Sequence, residues 1–200
     1  MTKHSIAKKV LSRIYGKGRG WCFTPSRYYD LGRPATIRVI LFRLTEKGTI
    51  RRLAQGLYDY PRRHKTIGLL SPKPFDVARA LAEKDAYRLQ PSDATAANML
   101  GLTEQVPAKI LFLTDGPSKK KIVDGREIIL QKTAPKKMIA ANRISGTVIS
   151  ALRFIGNNQI REDHIRHLRK ILTSKEKEQL LRDISIAPSW MRRTIERITE

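Results

Sequence analysis

The sequence predicts an α+β protein in which an N-terminal winged helix-turn-helix precedes a small mixed α/β domain with a helical C-terminal region. Three observations lead to this fold class. Three segments with helix start or stop signals are followed by a basic, strand-like hairpin. Short strand-like and helical segments then alternate, and the last third of the chain has only helical patterns. We therefore expect two domains, residues 1–65 and residues 66–200.

Three helices are predicted in the first domain. The first is capped by Ser5, and its apolar residues form one stripe: Ile6, Val10, Leu11 and Ile14. Thr24-Pro25 indicates the start of a second, short helix, because threonine caps helices and proline favours their first position. The third extends from about Pro34 to Lys47, and Gly48 ends it. Its apolar residues are spaced i, i+3, i+4, i+7: Ile37, Ile40, Leu41 and Leu44.

A two-stranded hairpin is predicted directly after the third helix. Ile50–Ala54 and Leu57–Tyr60 are strand-like, and Gln55-Gly56 separates them. Three helices followed by a hairpin are the element order of a winged helix-turn-helix. In that architecture the third helix enters the DNA major groove and the hairpin, or wing, lies along the backbone or the adjoining groove.

The charge distribution supports this interpretation of the first domain. The chain has 40 Lys and Arg against 18 Asp and Glu, a net charge of +22 and a pI near 10.6. Residues 1–65 carry 16 of these basic residues and only three acids, a net charge of +13. So basic a segment attracts polyanions, either nucleic acid or an anionic membrane. We expect double-stranded DNA, because a rigid helix and wing suit a major groove.

The candidate DNA-binding residues divide by their expected contacts. Arginines on the exposed face of the third helix are suited to guanine edges, and threonine to a phosphate or a thymine methyl group. The arginines and lysine of the hairpin region are suited to phosphates. The candidates are Thr24, Arg33, Thr36, Arg38, Arg43, Arg51, Arg52, Arg62, Arg63 and Lys65. The alternative is that this basic surface is only solvated, or that the domain binds another protein.

The second domain is predicted to contain the following elements in order. These are a helix over 74–83, a strand over 87–90, a helix over 92–102 capped by Ser92, a strand over 109–116, a hairpin over 119–132, helices over 143–156 and 160–172, a helix with a Thr173–Glu176 capping box, and a last helix after Pro188. Asp124-Gly125 predicts a type I′ turn in the hairpin. Residues 66–72 are predicted to be a linker or docking segment.

Nothing in the sequence has the pattern of a catalytic or metal site. The glycine-rich segment 16–21 follows a helix and lacks the ending of a P-loop. His164 and His167 lack evident further ligands, and Cys22 lies between two aromatic residues. We predict no enzyme, no metal and no cofactor. An enzyme acting on nucleic acid remains an alternative if its acids come together only in the folded chain.

The sequence also predicts where the protein is located. Cys22 is the only cysteine, which excludes an intrachain disulfide and fits a reducing compartment. No apolar run has the length of a transmembrane helix, and no signal-peptide core is evident near the N-terminus. We expect a cytoplasmic protein without a membrane partner.

Three segments resemble a known family. "KGTIRRLAQGLYDYP" at 47–61, "GLLSP" at 68–72 and "RLQPSDATAANMLGLTEQVPAKILFLTDGP" at 88–117 resemble the antitoxin-like family related to the AbiE antitoxins of bacterial type IV toxin–antitoxin systems. The resemblance implies a winged helix that represses its own promoter, with Arg51 and Arg52 in the matching wing motif. It also implies a C-terminal domain that opposes a nucleotidyltransferase-type toxin without necessarily binding it.

The expected function is therefore that of a DNA-binding autorepressor and antitoxin. Gln90, Ser92, Asn98 and the lysines of the second hairpin are candidates for antitoxicity because they are polar and expected to be exposed. The alternative is a one-component transcription regulator whose C-terminal domain senses a ligand and has no toxin partner.

Overall fold

The structure, a computed structural model, describes residues 5–82, 87–105, 107–134 and 138–200. Within these residues α-helices and short β-strands form a mixed α+β protein, as predicted. The chain divides into two compact units, Met1–Asp85 with Lys119–Ile128, and Ala86–Ser118 with Ile129–Glu200. The sequence predicted two independently folding domains with a boundary after residue 65, and that boundary stays a prediction.

The first unit begins with helices and continues with short strands. Its elements up to residue 82 are α1 (Ile6–Lys17), β1 (Cys22–Phe23), a 3₁₀ turn (Pro25–Tyr28), α2 (Pro34–Glu46), β2 (Arg51–Ala54), β3 (Leu57–Asp59), β4 (Arg63–His64), β5 (Gly68–Leu69) and α3 (Pro74–Leu81). The Ser5 side chain accepts a hydrogen bond from the Lys8 N–H, which confirms the predicted cap of α1. Glu83, where α3 was predicted to end, lies outside the described residues.

The second predicted helix begins where expected, at Pro25, but it is a short 3₁₀ turn that ends at Tyr28. The Thr24 hydroxyl forms a 2.7 Å hydrogen bond with the Ser26 hydroxyl and does not cap the turn. The turn ends at Tyr28, whose ring is fully buried among the apolar residues of the unit. The backbone hydrogen bonds of this segment reach three residues back, from the N–H groups of Arg27 and Tyr29 to the carbonyl groups of Thr24 and Ser26, which is the 3₁₀ pattern.

Three strands of the first unit form an antiparallel sheet in the order β1-β3-β2. The hairpin of β2 and β3 is the one predicted, whereas β1 was not predicted because two residues show no periodicity. The predicted linker at 66–72 contains β5, which pairs with β4. The core beneath the sheet includes the buried residues of α1 and α2: Val10, Ile14, Ile37, Leu41 and Leu44.

The rest of the chain contains the remaining strands and helices, close to their predicted positions. They are β6 (Leu89–Pro91), α4 (Asp93–Met99), β7 (Lys109–Thr114), β8 (Lys119–Val123), β9 (Arg126–Lys132), α5 (Ile144–Ile155), α6 (Glu162–Ile171), α7 (Ser174–Arg182) and α8 (Ser189–Thr199). The strands are ordered β6-β7-β9-β8. Asp124 and Gly125 have φ angles of +49° and +74°, as a type I′ turn requires.

Helix caps and one buried carboxylate fix the helices of the second unit. Thr173 and Glu176 form the predicted capping box at the start of α7. At its end the buried Asp183 accepts hydrogen bonds from Ser145 Oγ at 2.7 Å and Gln179 Nε2 at 2.8 Å, and pairs with Arg143 at 2.9 Å. Burial alone would raise the pKa of Asp183, but these donors lower it. None of the described helices has the length and apolar character to cross a membrane.

Two helical glycines differ in the space around them, and they provide a matched test of the fold. A Cβ atom at Gly146 in α5 would lie 2.4 Å from the backbone oxygen of Ala140, whereas one at Gly16 in α1 would meet nothing within 4 Å. We expect Gly146→Ala to lower the free energy of unfolding by about 2 kcal/mol or more, because a backbone atom must move. We expect Gly16→Ala to leave it unchanged or raise it by up to about 1 kcal/mol.

Urea denaturation followed by circular dichroism measures both changes. Equal stability of the two variants would show that the close approach of residues 140 and 146 is not present in the folded protein.

Candidate nucleic-acid interface

The exposed face of α2 carries most of the base-reading candidates. Buried residues repeat along one side of the helix, so the other side faces solvent. The exposed residues of this side and of the N-cap include Arg33, Thr36, Arg38, Val39, Phe42 and Arg43, and Glu46 at the end of the helix is exposed as well. Val39 is 49% exposed and Phe42 is 63% exposed, which is unusual for large apolar side chains. This face therefore offers cations at its edges and an apolar centre.

The hairpin of β2 and β3 separates two neighbouring arginines. Arg51 lies opposite Asp59 in the sheet, and Arg52 lies opposite Tyr58. Side chains alternate between the two faces of a strand, so the two guanidinium groups point to opposite sides. Arg51 is partly buried, and Arg52 is exposed.

A groove of about 530 Å³ joins the helix to the hairpin. Its lining residues are Thr24, Pro25, Ser26, Tyr29, Arg38, Arg52, Gln55, Gly56 and Tyr58. The groove thus brings together three of the sequence-predicted residues, Thr24, Arg38 and Arg52. Its lining contains two arginines and several hydroxyl groups but no carboxylate, a composition suited to an anionic ligand. We call this surface the α2–hairpin groove.

Arg51 has a structural partner, which changes its expected role. Its Nε and one terminal nitrogen bind the two oxygens of Asp59 at 3.1 and 2.7 Å, and the same terminal nitrogen donates to the Leu70 carbonyl at 3.0 Å. The Asp59 side chain is only 1% exposed. Its hydrogen bonds with Asp59 raise the pKa of Arg51. Arg51 therefore forms a partly buried ion pair that holds β2 to β3, and its predicted phosphate contact stays a prediction.

Thr24 lies at the groove, but with little freedom to bind a ligand. Its side chain is 6% exposed, and its hydroxyl is already bonded to Ser26. Ser26, Tyr29 and Gln55 line the same groove, and sequence reasoning missed all three. A signal for Gln55 was its position in the predicted turn. Ser26 and Tyr29 gave no such signal, because the sequence predicted a short helix at this place and did not show which of its side chains would face the groove.

Seven of the ten predicted residues lie outside the groove lining, among them the three remaining phosphate-contact candidates of the hairpin region. Arg63 and Lys65 are exposed in the hairpin of β4 and β5. Arg62 is partly buried, and its side chain crosses Gly20, so that a Cβ atom there would lie 3.0 Å from Arg62 Nε. The structure therefore distributes the predicted phosphate-binding residues over more than one surface of the first unit.

The histidines and the cysteine have structural surroundings. Nδ1 of His164 accepts from the Arg161 N–H as part of a capping box, and Nε2 of His167 lies 2.9 Å from the Leu100 carbonyl oxygen. Cys22 is buried, and burial raises the pKa of its thiol. In the described part of the chain, no three His, Cys, Asp or Glu side chains form a group that could hold a metal ion.

Comparison with known proteins gives a family but no activity. Residues 9–180 match the family described as "Family of unknown function (DUF6088)". No curated protein matches the chain. Among solved structures, the crystal structure of the RV2827C protein from Mycobacterium tuberculosis is similar, with 16% sequence identity and a TM-score of 0.43 over 98% of this chain and 76% of that chain.

The two neighbouring arginines of β2 allow a test of their separate roles. We expect Arg51→Ala to lower the free energy of unfolding by about 3 kcal/mol or more, because it leaves the buried carboxylate of Asp59 without its cation. Arg52→Ala removes the same charge from an exposed position and should change stability by no more than about 0.5 kcal/mol. Chemical denaturation of both variants makes the comparison. Equal destabilisation would contradict the structural role given to Arg51.

Proposed function

We propose that the chain, which belongs to the DUF6088 family of unknown function, is a DNA-binding transcription repressor whose first unit is a winged helix-turn-helix. In this proposal α2 is the recognition helix and the hairpin of β2 and β3 is the wing. One observation carries it: Arg38 and Arg52 line the α2–hairpin groove without a carboxylate beside them. Neither arginine has an ion-pair partner within the described residues.

The exposed face of α2 has the side chains that base reading requires. Arg38 and Arg43 are long, exposed cations that can donate two hydrogen bonds to the O6 and N7 atoms of a guanine. Val39 and Phe42 are exposed apolar groups between them, and thymine methyl groups offer apolar contacts in the major groove. In a complex with DNA, these exposed apolar side chains would contact thymine methyl groups, whereas in the free protein they contact water.

Phosphate binding is proposed for the side chains around the recognition helix. Arg52 projects from the wing, and Tyr29 offers a hydroxyl donor in the same groove. Arg63 and Lys65 extend the positive surface on the neighbouring hairpin. Contacts of this kind fix the position of a protein on DNA without selecting a sequence.

The proposed repressor acts on its own promoter and serves as the antitoxin of a type IV-like toxin–antitoxin system. The sequence resemblance at 47–61, 68–72 and 88–117 supports this part of the proposal. The second unit would then oppose a nucleotidyltransferase-type toxin encoded next to it. The proposal assigns no catalytic step to the chain.

A cavity in the second unit favours a second candidate function. It has a volume of about 800 Å³, and its lining includes Gln90, Ser150, Arg153 and Phe154. Gln90 is 8% exposed, its Nε2 donates to Ser150 Oγ at 3.0 Å, and its Oε1 has no partner among the described residues. A mostly apolar cavity with a few converging polar groups is typical of small-molecule sites. The second candidate is accordingly a one-component regulator that senses a ligand here.

Fluorescence anisotropy on the chain's own upstream duplex and on a scrambled duplex tests the DNA-binding proposal. We expect Arg38→Ala to reduce the preference for the upstream duplex by about 1–3 kcal/mol, because a base contact is lost. We expect Arg52→Ala to weaken binding equally on both duplexes and to reduce the slope of log K against log salt by about 1, because one phosphate contact is lost.

Arg192→Ala is the matched control, because it removes one exposed arginine from the second unit. It should leave the sequence preference unchanged. A wild-type chain that binds both duplexes equally at physiological salt would refute sequence reading by α2. Equal effects of Arg38→Ala and Arg52→Ala on the preference would refute the separate roles given to helix and wing.

Co-expression distinguishes the antitoxin from the ligand sensor. We expect the chain to restore growth of cells that express the nucleotidyltransferase-type toxin of the neighbouring gene. A double substitution of Arg38 and Arg52 by alanine should abolish promoter repression and leave this rescue intact, because the second unit would carry antitoxicity. Absence of such a neighbouring gene, or of rescue, would favour the ligand sensor.

A further inference from the structure

The first unit contains a second concavity, which we call the basic pocket. It has a volume of about 520 Å³ and shares no lining residue with the α2–hairpin groove. Its charged lining residues are Arg13, Lys17, Arg19, Arg27, Arg62, Lys73, Asp76 and Arg79. Seven cations therefore line a single volume together with one carboxylate, Asp76, and one of the seven, Arg13, is ion-paired with Asp30. Such an excess in a concave site focuses the positive potential inside it.

The arginines of the basic pocket are held in position by aromatic rings and carbonyl groups. The Arg19 guanidinium lies 4.7 Å from the centre of the Tyr60 ring and donates to the Pro61 carbonyl at 2.9 Å. The Arg79 guanidinium lies 4.8 Å from the centre of the Phe75 ring. Fixed guanidinium groups lose less conformational entropy when they bind an anion, so the pocket is partly preorganised.

A glycine lies directly beneath one of the cations of the basic pocket. Gly20 has a φ angle of +95°, and its N–H donates to the Tyr60 carbonyl at 2.6 Å. The Arg62 side chain lies directly over this glycine, where any Cβ atom would press against its Nε at 3.0 Å. The backbone conformation at residue 20 thus leaves room for one of the cations that line the pocket.

Trp21 adds an aromatic surface to the same lining. Its indole ring stacks on Phe23 with a centroid distance of 4.7 Å and remains partly exposed. Arginines can bind phosphate groups and an exposed aromatic ring can stack on a base, so the two together are suited to a nucleotide.

We propose that the basic pocket binds a compact polyphosphate, such as the phosphate chain of a nucleoside triphosphate. The cations come from five separate segments and converge on one volume: α1, the chain before β1, the 3₁₀ turn, the chain after β3, and α3 with the residue before it. Its size lies in the range of small-molecule sites, about 300–1,000 Å³. A phosphate chain places several negative charges within such a volume, and the DNA-reading role of α2 is not required for it.

Trp21 fluorescence can report occupancy of the pocket in the full chain. The chain has two tryptophans, so a Trp190→Phe background leaves Trp21 as the only one. We expect titration with inorganic tripolyphosphate at physiological salt to change this fluorescence saturably. ATP should bind at least as tightly, and a tighter value would indicate that the base also contacts Trp21.

Two double variants separate a built site from general positive charge. Lys73→Ala with Arg79→Ala removes two exposed cations of the pocket, and Lys8→Ala with Lys9→Ala removes two exposed cations of α1 outside it. We expect the first to weaken tripolyphosphate binding about tenfold or more, because charge-assisted hydrogen bonds are lost, and the second to weaken it less than about twofold.

Three outcomes would overturn the proposal. The first is that tripolyphosphate does not bind saturably. The second is that both double variants lose tripolyphosphate affinity equally. The third is that the Lys73→Ala, Arg79→Ala variant loses affinity for the duplex while excess tripolyphosphate does not lower the duplex affinity of the wild type. The last result would make the pocket a contact for the DNA backbone. The duplex titrations of Arg38→Ala and Arg52→Ala are independent of this test, so either proposal can fail alone.

Discussion

The ion pair between Arg51 and Asp59 determines how the two neighbouring arginines of β2 are used. A regular two-residue hairpin around Gln55-Gly56 would place Arg52 opposite Asp59. A register shift between Arg52 and Ala54 places Arg51 there instead. The buried carboxylate then holds Arg51 on one face of the sheet, and alternation leaves Arg52 on the other. The irregular register thus decides which arginine stabilises the fold and which is available at the α2–hairpin groove.

The regular elements were predictable from the sequence because their signals are local. Helix caps at Ser5, Ser92 and Thr173 and the Asp124-Gly125 turn act within a few residues, and all are present in the structure. Short strands such as β1 and β5 were not predictable, because two residues have no period and their pairing depends on distant partners.

The candidate site was predictable only in part. Periodicity along α2 identified Arg38 and Arg43 as exposed, because the apolar stripe fixes the opposite face of a helix. The role of Arg51 depends on the register shift, which leaves no pattern in the sequence. The basic pocket depends on five segments that meet only in the folded chain, so no motif in any one of them indicates it.

The acids of the chain are distributed unevenly, so that most cations of residues 1–65 are not neutralised by a carboxylate. In the second unit several arginines have carboxylate partners, among them Arg88 with Asp115 and Arg143 with Asp183. Residues 1–65 have three acids for 16 cations, and two of those acids are bound to Arg13 and Arg51. The remaining cations repel one another and lower the stability of the folded unit. A polyanion that binds the folded state relieves this repulsion, and its binding energy adds to the free energy of unfolding.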